Sequence, residues 1–137
     1  MNKMQIKTLE EYHKKYARSI SDPEGFWEDI ANEFQWMKKW DKVLEWNFTQ
    51  PDIKWFKGAK LNITENMLDR HLESRGNKLA LIWEPNDPQQ QFIRYTYREL
   101  YEQVCLFSNA LKTQGVKKGD RVCIYMPMVP ELAIAVM

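Results

Sequence analysis

Residues 117–137, KKGDRVCIYMPMVPELAIAVM, contain a turn, a nearly continuous apolar run and the start of an apolar helix. The KKGD turn leads into residues 121–126, whose apolar character is typical of a central strand in a parallel sheet covered on both faces. Pro130 favours the first turn of a helix, and residues 132–137 are apolar on every side, as in a buried crossover helix. This stretch therefore predicts a mixed α/β fold.

A parallel strand that feeds a crossover helix needs a following parallel strand to complete the unit. The last residues contain no glycine, no basic final turn and no polar tail of the kind that ends a helix. We therefore expect the chain to be the first part of a truncated domain, with the rest of the sheet supplied by a longer polypeptide.

Two capping signals predict a helical N-terminal region over residues 1–61. Thr8 and Glu11 have the spacing of a capping box, and apolar residues follow them at helical intervals. Asp22 offers an N-cap for a second helix, with Pro23 at its first position.

Residues 37–61 show little periodicity, apart from a short strand expected near residues 43–48 and a turn near Pro51. This region belongs to a part of the chain rich in tryptophan: Trp27, Trp36, Trp40, Trp46, Trp55 and Trp83. Such a set offers stacking platforms for sugars or bases as one interpretation. Because tryptophans spread over helix, linker and strand do not easily line one groove, we favour large anchors that hold irregular structure against a bigger body.

Residues 62–137 alternate between helical and strand patterns, as the start of an α/β domain does. The first expected elements are a helix over residues 61–76 that Gly76 ends, and strands over residues 79–84 and 92–97 that pair as a hairpin. A helix capped by Thr96 and Glu99 and closed by Gly115 follows. The strand and helix of residues 121–137 come last. On the long helix, an inward face is expected at Leu100, Val104, Phe107 and Leu111.

The composition argues against several classes of partner. Lys plus Arg number 20 and Asp plus Glu number 19, a net charge of +1 that gives no electrostatic reason to expect nucleic acid or an anionic membrane. No apolar run reaches the roughly 18–20 residues that a membrane span needs. The N-terminus lacks the apolar core of a secretory signal, so we expect a cytoplasmic protein.

No catalytic constellation is visible in the sequence. The five glycines form no phosphate-binding loop, and neither a G-x-S-x-G elbow nor metal-ligand spacing is present. Cys105 and Cys123 are expected to be small buried apolar residues, and His13 and His71 lie far apart in sequence. Residues 69–71, Asp-Arg-His, are tempting as a catalytic cluster, but consecutive helix positions point in different directions, which favours a structural role.

Five blocks carry a resemblance to a known family from about Tyr12 to Met137. They are DPEGFW (22–27), KWFKGAKLNITENMLDRHL (54–72), LALIWE (79–84), TYRELYEQV (96–104) and GVKKGDRVCIYMPMVPELAIAVM (115–137). The chain resembles the N-terminal part of the AMP-forming acetyl-coenzyme A synthetases, within the adenylate-forming acyl-CoA synthetase superfamily. The TYRELYEQV and GVKKGDRV blocks are typical of the whole superfamily, whereas the earlier blocks are typical of its short-chain members. Propionyl- and acetoacetyl-CoA synthetases share much of this pattern and stay open as alternatives.

The resemblance implies an acetate–CoA ligase in the full-length protein. Acetate and ATP, with Mg²⁺, would give acetyl-adenylate, from which coenzyme A would displace AMP. ATP, Mg²⁺ and coenzyme A would thus serve the complete enzyme, and these 137 residues would bind none of them. No catalytic, cofactor-binding or metal-binding residue is assigned, because the family's phosphate loop, ribose-binding acid, acyl pocket, basic coenzyme A-binding residues and C-terminal lysine all match later positions.

The resemblance also implies a division of the chain. Residues 1–61 would be the Trp-rich N-terminal extension, and residues 62–137 the beginning of the AMP-binding domain. The expected partner is the remainder of the same large domain, and the chain alone is expected to be inactive and to self-associate. The alternative from a different class is a non-catalytic binding module that shares this architecture.

Overall fold

The structure, a computed structural model, describes residues 5–137. The chain divides into two compact units, with the division between Asn62 and Ile63. The assignment of residues 1–61 and 62–137 to two functional domains stays a prediction. The prediction that the N-terminus carries no secretory signal falls partly on residues 1–4, outside the described range.

Helices and short antiparallel strands make up both units. In the first unit they are α1 (Leu9–Ser21), α2 (Pro23–Ala31), β1 (Lys42–Asn47) and β2 (Asp52–Lys57). In the second they are α3 (Ile63–Met67), a 3₁₀ turn (Asp69–His71), α4 (Leu72–Arg75), β3 (Leu79–Trp83), β4 (Ile93–Thr96), α5 (Tyr97–Thr113) and α6 (Pro130–Val136). The mixed α/β class is confirmed.

Both predicted helix starts in the first unit are confirmed. At each one, a side chain accepts a hydrogen bond from a backbone amide that the helix itself leaves unpaired. The Thr8 hydroxyl accepts a hydrogen bond from the backbone amide of Glu11 at 3.1 Å. The Asp22 carboxylate accepts one from the amide of Gly25 at 3.0 Å, and a proline occupies the first position of α2.

A β-hairpin follows the two helices. The strand expected near residues 43–48 and the turn near Pro51 are confirmed as β1 and the residues after it, whereas β2 was not expected. The strands pair antiparallel, with Leu44 opposite Trp55 and Trp46 opposite Ile53. Trp55 and Phe56 are consecutive in β2 and lie between two lysines, so the sequence shows no strict apolar alternation, and pairing with β1 rather than pattern defines this strand.

The predicted helix over residues 61–76 is broken rather than continuous. Leu68 lies between α3 and the 3₁₀ turn, and its distorted backbone (φ −118°, ψ −65°) leaves the α-helical path. The break accompanies the deepest burial within residues 5–137, since Leu68 is 1% exposed. Gly76 does end α4, as predicted, but in a right-handed conformation (φ −49°): a Cβ there would crowd the Leu72 carbonyl and the Arg98 guanidinium.

The core of the second unit is one apolar cluster that joins the helix break to two helices. Its buried members are Leu68, Leu100, Val104 and Ile134, from the helix break, α5 and α6. Half-buried residues of the predicted β3–β4 hairpin, which is confirmed, pack against this cluster. Two members of the expected α5 face, Leu100 and Val104, are therefore buried, whereas Phe107 is 37% exposed at the edge.

Helix α5 begins at the predicted capping box. The Thr96 hydroxyl accepts a hydrogen bond from the Glu99 amide at 3.2 Å, and the Glu99 carboxylate accepts one from the Thr96 amide at 2.8 Å. Gly115, with φ +85°, closes the helix in the left-handed region that favours glycine. Both ends of α5 thus lie where the sequence predicts.

The prediction of a strand over residues 121–126 is wrong for the described part of the chain. These residues carry no strand assignment, because the two sheets within residues 5–137 contain only β1 with β2 and β3 with β4. The expectation of a buried Cys123 is wrong for the same reason: without a paired and covered strand its side chain is exposed, while Cys105 on α5 is half-buried. Among the described residues, no helix is both long and apolar enough to cross a bilayer.

Replacement of Leu68 with alanine is predicted to destabilise the second unit strongly. A side chain that is 1% exposed leaves a cavity when it is truncated, at a cost of about 2–5 kcal/mol. Met67→Ala is the matched control, since this neighbouring side chain is 46% exposed and should cost far less. Urea unfolding of both variants measures the difference, and equal losses would contradict this account of the core.

The Glu99 capping bond is predicted to make stability depend on pH. Hydrogen bonds from the Thr96 amide and then the Thr96 hydroxyl hold the pKa of Glu99 below its usual value. The carboxylate therefore stabilises the fold above the unfolded-state pKa of about 4.3, and this contribution is lost as pH falls through the lower folded-state pKa. Glu99→Gln should lower the unfolding free energy at pH 7 and flatten its decline on acidification. An unchanged acid profile would show that the capping bond does not form in solution.

Candidate functional site

The Asp-Arg-His cluster occupies the 3₁₀ turn, where its side chains meet different partners. Arg70 donates a hydrogen bond from Nη1 to Asn66 Oδ1 at 3.2 Å. The His71 ring lies edge-on to the Tyr97 ring, with the centroids 5.2 Å apart. Burial, followed by the charges of Arg75 and Arg70, lowers the pKa of His71. The two side chains therefore bind within the fold rather than converge on a common point.

Neither of the other titratable features forms a reaction centre in the described residues. A hydrogen bond with Cys105 raises the pKa of Tyr101, one helical turn earlier on α5. The His13 ring lies edge-on to the ring of its neighbour Tyr12, with the centroids 5.6 Å apart. Within residues 5–137, no three His, Cys, Asp or Glu side chains lie together in a way that could hold a metal ion.

An open apolar groove of about 780 Å³ lies in the second unit. Its walls come from α3, β3, α6 and the segment before α6, and they include Met67, Leu81, Trp83, Met128, Leu132 and Val136. Two hydrogen bonds hold the walls of this groove together. Trp83 Nε1 donates to the Met128 carbonyl at 2.7 Å, and the Thr64 hydroxyl donates to the Met137 carbonyl at 2.7 Å.

The segment before α6 also exposes apolar side chains that the sequence pattern places in a strand. Val122 is 50%, Ile124 36%, Tyr125 100% and Met126 41% exposed. No strand within the described residues pairs with this segment. Exposed apolar side chains in a row are a surface suited to contact with further protein.

Four of the tryptophans form a connected aromatic cluster in the first unit, which the sequence analysis did not foresee. Trp27 contacts Trp55 (centroids 6.2 Å apart), and Trp36 contacts Trp40 (5.2 Å). Phe56 links the two pairs, at 5.9 Å from Trp55 and 5.2 Å from Trp40. Strand β2, which was not expected, brings these helix and linker residues together, and the interpretation of the tryptophans as anchors stays a prediction.

The linking residue, Phe56, has a strained backbone. Its φ of +48° lies in the left-handed region, which is costly for a bulky residue, by about 1–3 kcal/mol. Contacts with Trp36 and Trp40 hold the ring in place, and the Phe56 carbonyl accepts a hydrogen bond from the Ala59 amide at 3.0 Å. Gly58 completes this turn at φ +77°, where a Cβ would collide with the Asp41 carboxylate.

Two family models match successive parts of the chain. Residues 68–137 match the family model for AMP-binding enzymes, and the chain belongs to this family. Residues 12–67, immediately before, match the model for the acetyl-coenzyme A synthetase N-terminus. The resemblance seen in the sequence is thereby confirmed.

Curated relatives agree with the family assignment. The chain is 54% identical over 129 residues to an acetyl-coenzyme A synthetase of Magnetococcus marinus, and this match covers 93% of the chain. It is 52% identical over 130 residues to that of Halorhodospira halophila, covering 94% of the chain. The chain spans only about 20% of the length of these relatives.

A solved structure shares the fold. An acetoacetyl-CoA synthetase from Streptomyces lividans matches 88% of the chain with a TM-score of 0.77 and 29% sequence identity. The chain covers 18% of that structure. The arrangement of helices and hairpins described above therefore recurs inside a much longer acyl-CoA synthetase.

Loss of the Trp83 indole donor is predicted to weaken the groove's frame. Trp83→Phe keeps an aromatic ring but leaves the Met128 carbonyl without this partner, at a cost of about 0.5–1.5 kcal/mol. Trp46→Phe is the control for the general effect of replacing a tryptophan, since Trp46 is 64% exposed. Denaturant unfolding compares the two variants, and equal stabilities would argue that the hydrogen bond contributes nothing.

Proposed function

We propose that the chain is the N-terminal part of an AMP-forming acetate–CoA ligase, which makes acetyl-CoA from acetate, ATP and coenzyme A. The observation that carries this proposal is the order of the two family matches. An acetyl-coenzyme A synthetase N-terminus over residues 12–67 runs directly into an AMP-binding enzyme over residues 68–137. The second match alone supports an adenylate-forming enzyme, and the first narrows the acid to acetate.

In the complete enzyme the reaction has two steps. The acetate carboxylate attacks the α-phosphorus of ATP, which forms acetyl-adenylate and releases pyrophosphate. The coenzyme A thiol then attacks the acyl carbonyl, loses its proton and releases AMP. Magnesium supplies charge stabilisation on the phosphates. We assign no magnesium ligand to residues 5–137, because their acidic, His and Cys side chains form no group of three.

The catalytic, cofactor-binding and metal-binding residues are proposed to lie outside this chain. The divergence of Arg70 and His71 towards separate partners supports this view. We further propose that residues 1–61 are the N-terminal extension and residues 62–137 the beginning of the AMP-binding domain. The division after Asn62 and the family boundary after Met67 lie close to this point and support it.

The partner of the second unit is proposed to be the remainder of the same large domain. The exposed apolar side chains of residues 122–126 and the adjoining apolar groove support this partner, because both are surfaces for further protein to cover. The relatives' length supports this partner, because four fifths of that length lies outside the matched region.

The near-neutral charge of the chain favours neither nucleic acid nor an anionic membrane as a partner. We propose a cytoplasmic location.

Acetoacetyl-CoA synthetase is the second candidate, since the matching solved structure is one. Its 29% identity lies well below the 54% and 52% of the acetyl-coenzyme A synthetases, which favours acetate. Propionyl-CoA synthetase and a non-catalytic binding module remain alternatives that an activity assay separates.

Acetyl-CoA formation is expected from the complete polypeptide and not from residues 1–137 alone. With ATP, Mg²⁺ and coenzyme A, the complete polypeptide should form AMP and acetyl-CoA faster with acetate than with propionate or acetoacetate. Residues 1–137 alone should form neither product and show no calorimetric ATP binding. Preference for another acid would replace acetate as substrate, and an inactive complete polypeptide would favour the binding module.

A further inference from the structure

We draw no further inference here: the strongest candidate, the exposed apolar stripe that Leu9, Tyr16 and Ile20 form along α1, carries nothing, because nothing in the structure shows what covers it.

Discussion

Burial of Leu68 is the constraint on which the second unit depends. To reach the core, this residue breaks what would otherwise be one helix into α3, a 3₁₀ turn and α4. Around it gather Leu100 and Val104 from α5 and Ile134 from α6, and the β3–β4 hairpin packs on the same cluster. A core of four buried side chains is small, so each contributes a large share of the stability.

Much apolar surface is left uncovered outside this small core. The groove of about 780 Å³, the unpaired segment 121–126 and the tip of the β1–β2 hairpin each leave apolar side chains in water. Exposed surfaces of this kind mark contacts with other protein surface. The chain spans about a fifth of the length of its relatives, so most of their length lies outside the matched region.

The elements that the sequence predicted best are those governed by local chemistry. The caps at Thr8, Asp22 and Thr96 each depend on a side chain that bonds a backbone amide three residues away, so short spacing suffices to find them. The aromatic cluster could not be found in this way. It requires the pairing of β1 with β2 and a left-handed Phe56, and neither leaves a periodic signal in the sequence.

The sequence by itself determined the mixed α/β class, the helix starts, the β3–β4 hairpin and the resemblance to acetyl-coenzyme A synthetases, since local propensity and motif spacing are written in consecutive residues. Only the tertiary structure decided that the helix breaks at Leu68, that four tryptophans converge through Phe56, and that residues 121–126 are unpaired within the described chain. Those features depend on which surfaces meet, and a contact between residues distant in sequence is fixed by packing rather than by local pattern.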